Sequence, residues 1–346
     1  MNQIENRKDE HVRLALEKDV HASHNSWDDI WLTHNALPEI NKSDIDLSTK
    51  FINKTLSAPL LISGMTGGYD KAKRINERLA AAAETYQVAM GVGSQRAGLT
   101  TKNLKETYSI IKSYDIPVRI GNIGASQLVI WGHEKTMSFI SEMIDMIDAD
   151  AIAICLNFLQ EIIQFEGEAD AKGVFSGIKQ LAEEVDIPLI VKESGAGISY
   201  DVATRLKETK IAAIDIGGMG GTSFAAIEHY RAKLHFDRLH ARGGKTFWDW
   251  GIPSPRSLLE VCDAVDGNIP VIASGGIRHG LDAAKALALG GNIAGIAYGL
   301  LPSAMKGKKE VSFELDVIIK ELRAAMFLTG CDSVEKLLEV EVNGWM

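Results

Sequence analysis

The sequence predicts an α/β fold: a (β/α)8 TIM barrel with an N-terminal extension and a long insertion after strand six. Three observations carry this expectation. Eight short β-rich runs recur along the chain, most of them near-continuous in apolar residues, as strands covered on both faces require. Helical patterns lie between the runs, an alternation that argues for a closed parallel barrel. An open doubly wound sheet usually carries G-x-G-x-x-G after its first strand, and none stands after the first run here.

The elements follow in order. Residues 1–57 precede the barrel and hold a charged helix, Lys8–Lys18, and the segment WDDIWLTHNALPEI. This extension is expected to cap the barrel mouth or a neighbouring subunit, leaving 58–346 as the barrel proper. The eight runs are Ala58–Met65, Val88–Ser94, Val118–Ala125, Ala151–Asn157, Pro188–Gly195, Ala212–Gly221, Ile269–Ile277 and Ile293–Leu300. Helices are predicted over Asp70–Tyr86, Lys102–Ser113, Glu134–Ile147, Val174–Val185, Ser199–Thr209 and Leu281–Leu289. Ser199 is a candidate cap. Residues 229–253 read as a long insertion with Phe247, Trp248 and Trp250 clustered, which suits a lid or an oligomer contact equally. Ser312–Leu338 reads as a final amphipathic helix and turn.

A chain of 346 residues is ordinary for a one-piece barrel. Its net charge of −9 disfavours nucleic acid, which needs a broad basic surface, but leaves room for an anionic small substrate held by a few local cations. Cys155, Cys262 and Cys331 are scattered, with no C-x-x-C, so a reduced protein without disulfides or a zinc finger is expected. The charged start lacks the apolar stretch of a secretory signal, and no apolar run reaches membrane-spanning length. A cytoplasmic location is expected, with no membrane partner.

Barrel chemistry gathers at the C-terminal ends of the strands. Strands six to eight end in Gly217-Gly218-Met219-Gly220-Gly221, Ser274-Gly275-Gly276 and Ala297-Tyr298-Gly299. Glycine lets backbone N–H groups converge on an oxyanion, so these ends suggest a phosphate cradle rather than tight turns alone. Lys192 lies inside the apolar strand LIVKESG. A lysine projecting into a barrel is costly unless it meets an anion or a reactive group, which favours a Schiff base or an electron-rich cofactor ring over a pairing with Glu193. Glu161 follows Gln160 just past strand four, where a lone carboxylate suits either a magnesium ion or a surface loop. Arg7 and Lys8 stand among Glu5, Asp9 and Glu10, so residues alone favour a solvated helix start. There is no P-loop, no H-E-x-x-H and no G-x-S-x-G. Cys155 reads as inert strand packing.

The motifs RKDEH (7–11), SAPLLISGMTGG (57–68), GVGSQR (91–96), LNFLQE (156–161), VKESGAGIS (191–199), GGTSFAAIE (220–228) and ASGGIRHGLDAAKALALGG (273–291) occur together. In these the chain resembles the type 2 isopentenyl-diphosphate isomerases, FMN-dependent barrels, over nearly its whole length. The resemblance implies FMN contacts at Met65, Thr66, Gly67, Ser94, Asn122, Lys192 and Thr222. The FMN phosphate would lie against Gly275, Gly276, Ile277, Ala297 and Tyr298. A prenyl diphosphate would meet Arg7, Lys8 and Arg96, with Ser94 and Gln95 lining the same pocket. Gln160 would touch the substrate, and Glu161 would hold Mg2+. Reduced FMN would act as acid and base in a 1,3-proton shift, Lys192 would stabilise the reduced ring, and NAD(P)H would serve only as reductant. A homo-oligomer, tetramer or octamer, is expected.

Two positions depart from the pattern. Cys155 stands where many bacterial members carry histidine, and Met219 where many carry arginine; a divergent, archaeal-like subfamily with unchanged chemistry is expected. Two rival readings remain. One is an FMN barrel oxidising a 2-hydroxy acid or a nucleotide, for which Arg278 and His279 would be the catalytic pair. The other is a non-catalytic flavin-binding paralogue.

Overall fold

A computed structural model describes residues 3–344. Eight parallel strands close into a barrel: β1 (Leu60–Ile62), β2 (Ala89–Gly91), β3 (Arg119–Gly124), β4 (Ala151–Cys155), β5 (Leu189–Lys192), β6 (Ala213–Asp215), β7 (Val271–Ser274) and β8 (Ile293–Ile296). Each pairs with the next, and β8 returns to β1 through Ala294–Leu60, Gly295–Leu61 and Ile296–Ile62. The predicted fold class is therefore the observed one. The strands are shorter than their sequence runs, three to six residues, because the glycine-rich ends leave the ladder at the rim and turn into loops.

Period-two alternation sorts the side chains. Leu189 and Val191 of β5 face the helices, whereas Ile190 faces the barrel axis with Leu61, Ala89, Ala153, Ala213 and Ile272. Lys192 shares the face of Ile190 and therefore enters the barrel at its C-terminal rim.

The extension divides between the two ends of the barrel. The helix Gln3–Glu17 lies across the mouth, with Arg7, Lys8, His11 and Val12 facing the strand ends. The hairpin Thr49–Phe51 and Lys54–Leu56 lies at the opposite end, where Phe51 and Leu56 pack against the first residues of the strands, among them Ala89, Ala151 and Ile293. The helix thus lies where a mouth cap was expected, while two apolar side chains at the end of the extension cover the apolar bottom of the barrel.

Two further differences have local causes. Lys102–Ser113 is not one helix: a short α-turn, Glu106–Ser109, is flanked by 3-10 turns at Lys102–Leu104 and Ile110–Ser113. Ser109 followed by the β-branched pair Ile110–Ile111 propagates an α-helix poorly, and the tighter turns bury Leu104, Tyr108 and Ile111 together. The insertion after β6 is helical rather than a loop, built from Phe224–Leu234 and Arg238–Thr246 packed as a hairpin. Ser223 and Asp237 cap the two helices through their side chains. Trp248 at its base donates from Nε1 to the carbonyl of His21 at 2.8 Å, which ties the insertion to the extension. Ser199 caps Tyr200–Lys207 as predicted. Gly330 ends the long helix Lys308–Thr329 at φ 77°, before the turn at Glu335–Glu339.

Candidate active site

Two cavities meet at the C-terminal rim. The larger, about 420 Å3, opens between the ends of β5 to β8 and the extension, and is lined by Thr222, Gly275, Gly276, Ile277, Ala297 and Tyr298, with His21 and Asn25 over it. The smaller, about 160 Å3, opens over β1 to β4 and is lined by Met65, Thr66, Gly67, Ser94 and Asn122 below and by Arg7, Lys8, Arg96, Gln160 and Glu161 around it. Lys192 and Phe224 belong to both walls. The sequence-predicted residues thus converge, with one correction. Gln95 does not line the pocket: its side chain is fully buried, donating to Met143 O at 3.1 Å and accepting from Asn122 N at 3.1 Å. It sits at the start of Arg96–Thr100, where a wall amide has free backbone partners to satisfy.

The larger cavity is a glycine-built cradle. Gly275 and Gly276 have φ of 97° and 75°, and a Cβ on Gly275 would stand 2.1 Å from the carbonyl oxygen of Gly218. Trp27 Nε1 takes the Gly275 carbonyl at 2.8 Å, and Asn25 Nδ2 takes that of Gly276 at 2.7 Å. In trans peptides this turns the N–H groups of Gly276 and Ile277 the opposite way. Neither donates to a backbone carbonyl among the described residues. Such paired donors suit an oxyanion.

The floor between the cavities is polar. Register places Cys155, Lys192 and Asp215 abreast on β4, β5 and β6. Ser274 of β7 donates to Asp215. Lys192 Nζ donates to the backbone oxygen of Glu193 at 2.6 Å and lies 3.7 Å from Cys155 Sγ. Burial works against its charge, but Cys155, Asp215 and Glu193 outweigh it and hold Lys192 above its ordinary value. It stands as an ammonium. The Glu193 carboxylate is not its ion-pair partner; Oε2 instead accepts from the N–H groups of Ser194, Gly195 and Ala196 at 2.5, 2.8 and 2.5 Å and shapes the loop after β5. Burial pushes Glu193 up to about 7. Ser63 Oγ and Asn122 Oδ1 are buried without a hydrogen-bond partner, at the edges of the larger and smaller cavities respectively. Buried polar atoms of this kind call for a ligand or solvent partner.

The smaller cavity gathers cations. Lys8 Nζ donates to Ser94 O at 2.6 Å and to the Tyr108 hydroxyl at 3.0 Å. Burial, with Arg7 and Arg96 nearby, pushes Lys8 down to about 7. Burial also lowers Arg7, against the opposing pull of Glu161 and Glu166. Arg96 is gripped through both terminal nitrogens by the Glu168 carboxylate. Glu161 accepts from Asn157 Nδ2 at 2.8 Å and from Glu168 N at 2.9 Å.

Sequence reasoning missed the brace that holds this arrangement. Arg231, almost fully buried, meets Glu228 at 2.7 Å, Glu166 at 2.7 Å and Glu10 at 3.0 Å, while His11 Nε2 meets Glu228 Oε1 at 2.7 Å. One guanidinium thereby joins the N-terminal helix, the insertion and the loop after β4. Burial lowers His11, against the pull of Glu228. The available signal was Glu228 and Arg231 at i,i+3, just after the apolar run FAAI.

Among curated relatives, an isopentenyl-diphosphate delta-isomerase of Thermoplasma volcanium is 47% identical over 96% of this chain and 95% of its own length. One of Picrophilus torridus is 43% identical over 96% and 94%, and one of Methanosarcina mazei 42% over 100% and 94%. The chain belongs to the isopentenyl-diphosphate delta-isomerase family, in its type 2, FMN-dependent branch. The profile of the FMN-dependent dehydrogenases matches residues 155–343, which span the cradle of this isomerase-family barrel. Among solved structures, mandelate oxidase with (S)-2-phenylpropionate aligns at a TM-score of 0.68 and 15% identity, covering 99% of this chain and 97% of that one. At that identity the likeness shows the barrel alone.

The pair that the hydroxy-acid reading required is otherwise engaged in this member of the isomerase family. Arg278 is bound by Asp28 at 3.0 Å and Asp282 at 2.9 Å, and His279 accepts from Asp282 N at 3.1 Å as a helix cap. Cys155, the departure on β4, sits on the shared floor, and burial pushes its thiol up. Met219 pairs through its backbone with Ile252 and Ser254, so its side-chain identity is not what fixes that loop.

Proposed function

We propose that the protein interconverts isopentenyl and dimethylallyl diphosphate by a 1,3-proton shift, with FMN in the larger cavity and the diphosphate in the smaller. The observation that carries this reading is the position of Lys192, a charged amine in the wall common to a glycine cradle and a cation cluster. The residues fit FMN: the cradle donors suit its phosphate, and the unpartnered Ser63 and Asn122 suit a polar ring. Reduced FMN, when bound, would supply the acid and base for the proton shift, NAD(P)H serving only to reduce it because the net redox change is zero. Lys192 would hold a fixed positive charge beside it.

The smaller cavity binds and orients. Arg7, Lys8 and Arg96 would grip the diphosphate, with Ser94 lining the same wall, so that Gln160 meets the reacting chain. Glu161 would hold Mg2+. Among the described residues there is no cluster of three acidic, histidine or cysteine ligands, so the ion would take its remaining oxygens from phosphate and water, as magnesium commonly does. Phe224, in both walls, would exclude water from the alkene. A cytoplasmic homo-oligomer, tetramer or octamer, is proposed as well. Exposed Phe236, Leu239 and Trp250 on and beside the insertion support the contact; among the described residues no helix is long and apolar enough to cross a membrane.

An anaerobic assay of the FMN-loaded protein tests the reading. With reductant, isopentenyl diphosphate should convert to its dimethylallyl isomer. Failure to hold FMN, or turnover that consumes oxygen and a hydroxy acid instead, would reject it.

Lys8 gives the proposal a pH signature. An anionic ligand favours the charged amine, and the structure holds that amine near 7. Diphosphate affinity is therefore full below that value and falls as pH rises through it, by up to about tenfold per pH unit where Lys8 alone titrates. Lys8→Arg stays charged throughout, so its KM between pH 7 and 9 should be flat where the unaltered protein's rises. Identical profiles would remove Lys8 from the diphosphate site.

A further inference from the structure

The loop after β4 places Glu168 on Arg96. The pair is bidentate, with Arg96 Nη2 to Glu168 Oε1 at 2.8 Å and a second, shorter contact from Nη1 to Oε2. Gln127 Nε2 adds a third donor to Glu168 Oε2 at 2.6 Å. This is the donor geometry that recognises a phosphate oxygen pair as readily as a carboxylate. The loop is anchored just before Glu168 and at the backbone N–H of Glu168 itself. Glu166 is held by Arg231, whose guanidinium also stacks on Phe165 at 4.9 Å, and the backbone N–H of Glu168 donates to Glu161. Only the Glu168 side chain therefore has to move for Arg96 to change partner. Both side chains keep some solvent exposure, 23% for Arg96 and 30% for Glu168. Lys8 and Arg7 differ from Arg96. Lys8 rests on uncharged oxygens, and the Gln164 amide, oriented to satisfy both neighbours, accepts from Arg7 Nη1 at 2.8 Å.

We propose that Glu168 is a built-in competitor for the substrate's diphosphate, occupying Arg96 until a phosphate group takes its place and returning as the product leaves. The proposal rests on the diphosphate reading of the smaller cavity. Its consequence for the reaction follows from symmetry of charge. Substrate and product carry the same diphosphate, so a cation cluster that grips one grips the other, and isomerisation by itself does nothing to expel the product. An internal carboxylate that reclaims Arg96 lowers the apparent affinity for both and shortens the residence of the product. The apparent dissociation constant equals the intrinsic one divided by the fraction of protein with Arg96 available. Glu168 is thus a residue that tunes affinity and release through Arg96, and it needs no contact with the reacting carbons.

The test is calorimetric and kinetic, on FMN-loaded protein with magnesium. Inorganic pyrophosphate is the probe for binding, and isopentenyl diphosphate for turnover. Glu168→Gln keeps the shape and removes the charge that competes. It should tighten pyrophosphate about tenfold, lower KM in the same proportion and slow pyrophosphate dissociation, in line with affinity changes that appear mainly in off-rates. Gln127→Ala removes a partner of Glu168 without altering any cation, and should shift affinity in the same direction by a smaller factor. Retained FMN and an unchanged far-UV spectrum exclude loss of fold in either variant. Weaker or unchanged pyrophosphate binding in both variants overturns the proposal, since Glu168 would then only orient Arg96. If the unaltered protein binds no pyrophosphate, while Arg96→Ala changes nothing, the diphosphate reading itself falls and the competitor with it.

Discussion

Replacing Lys192 with methionine should cut isomerisation at least about 100-fold while the protein stays folded, as expected for loss of one preorganised charge of roughly 3 kcal/mol. The reasoning starts from the floor of the site. Lys192 is the positive member of a row with Cys155 and Asp215, on the side chain that alternation sends into the barrel. Methionine keeps most of the apolar stem and removes the charge. The fold survives because the change does not strand a buried anion. Burial already raises Asp215, and Lys192 is what draws it down. Without the amine the Asp215 carboxyl is raised further, toward its neutral form, and Ser274 is there to donate to it. Circular dichroism should therefore match the unaltered protein, while FMN content and turnover fall. A variant that isomerises at full rate would end the charge argument.

Glu161→Gln is the second large effect. Glu161 is the carboxylate at the cation cavity that is tied only by neutral donors, Asn157 Nδ2 and Glu168 N. Among the carboxylates around Arg7 it is the one that opposes the effect of burial most strongly. Neutralising it should weaken the magnesium–diphosphate unit and lower turnover about 100-fold at limiting magnesium, equivalent to roughly 3 kcal/mol, with part of the loss recovered as magnesium is raised. Chelation of magnesium from the unaltered protein should reproduce the loss, and the variant should respond far less to chelation. Near-normal activity of the variant at low magnesium would show that the metal is held elsewhere.

The fold was legible because most of the eight strand runs are near-continuous in apolar residues and alternate with helical patterns, which is what a barrel covered by helices demands. The strand ends were overextended because glycine runs such as 217–221 look like strand from one direction and loop from the other. Lys192 stood out because a charge inside LIVKESG contradicts its neighbours. Arg7 and Lys8 did not stand out. Among other charges on a helix they look solvated, and only the family resemblance and then the placement of Gln3–Glu17 over the mouth gave them a partner. Gln95 was misplaced since adjacent residues, Ser94 and Arg96, do face the cavity, and one-residue resolution in a loop needs the backbone. The brace around Arg231 joins positions 10, 166, 228 and 231. No local pattern connects residues so far apart.

Residues near the start of the sequence find their partners near its end. Asn25 and Trp27 grip carbonyls at 275 and 276, and the ring itself closes only when Ile293–Ile296 meets Leu60–Ile62. During synthesis the chain must therefore leave the ribosome nearly whole before its beginning can dock. A bulky fusion at the amino terminus should consequently disturb catalysis more than assembly, whereas the same fusion at the carboxyl end is felt mainly through the short ladder that Val342–Gly344 forms with Ile30–Leu32.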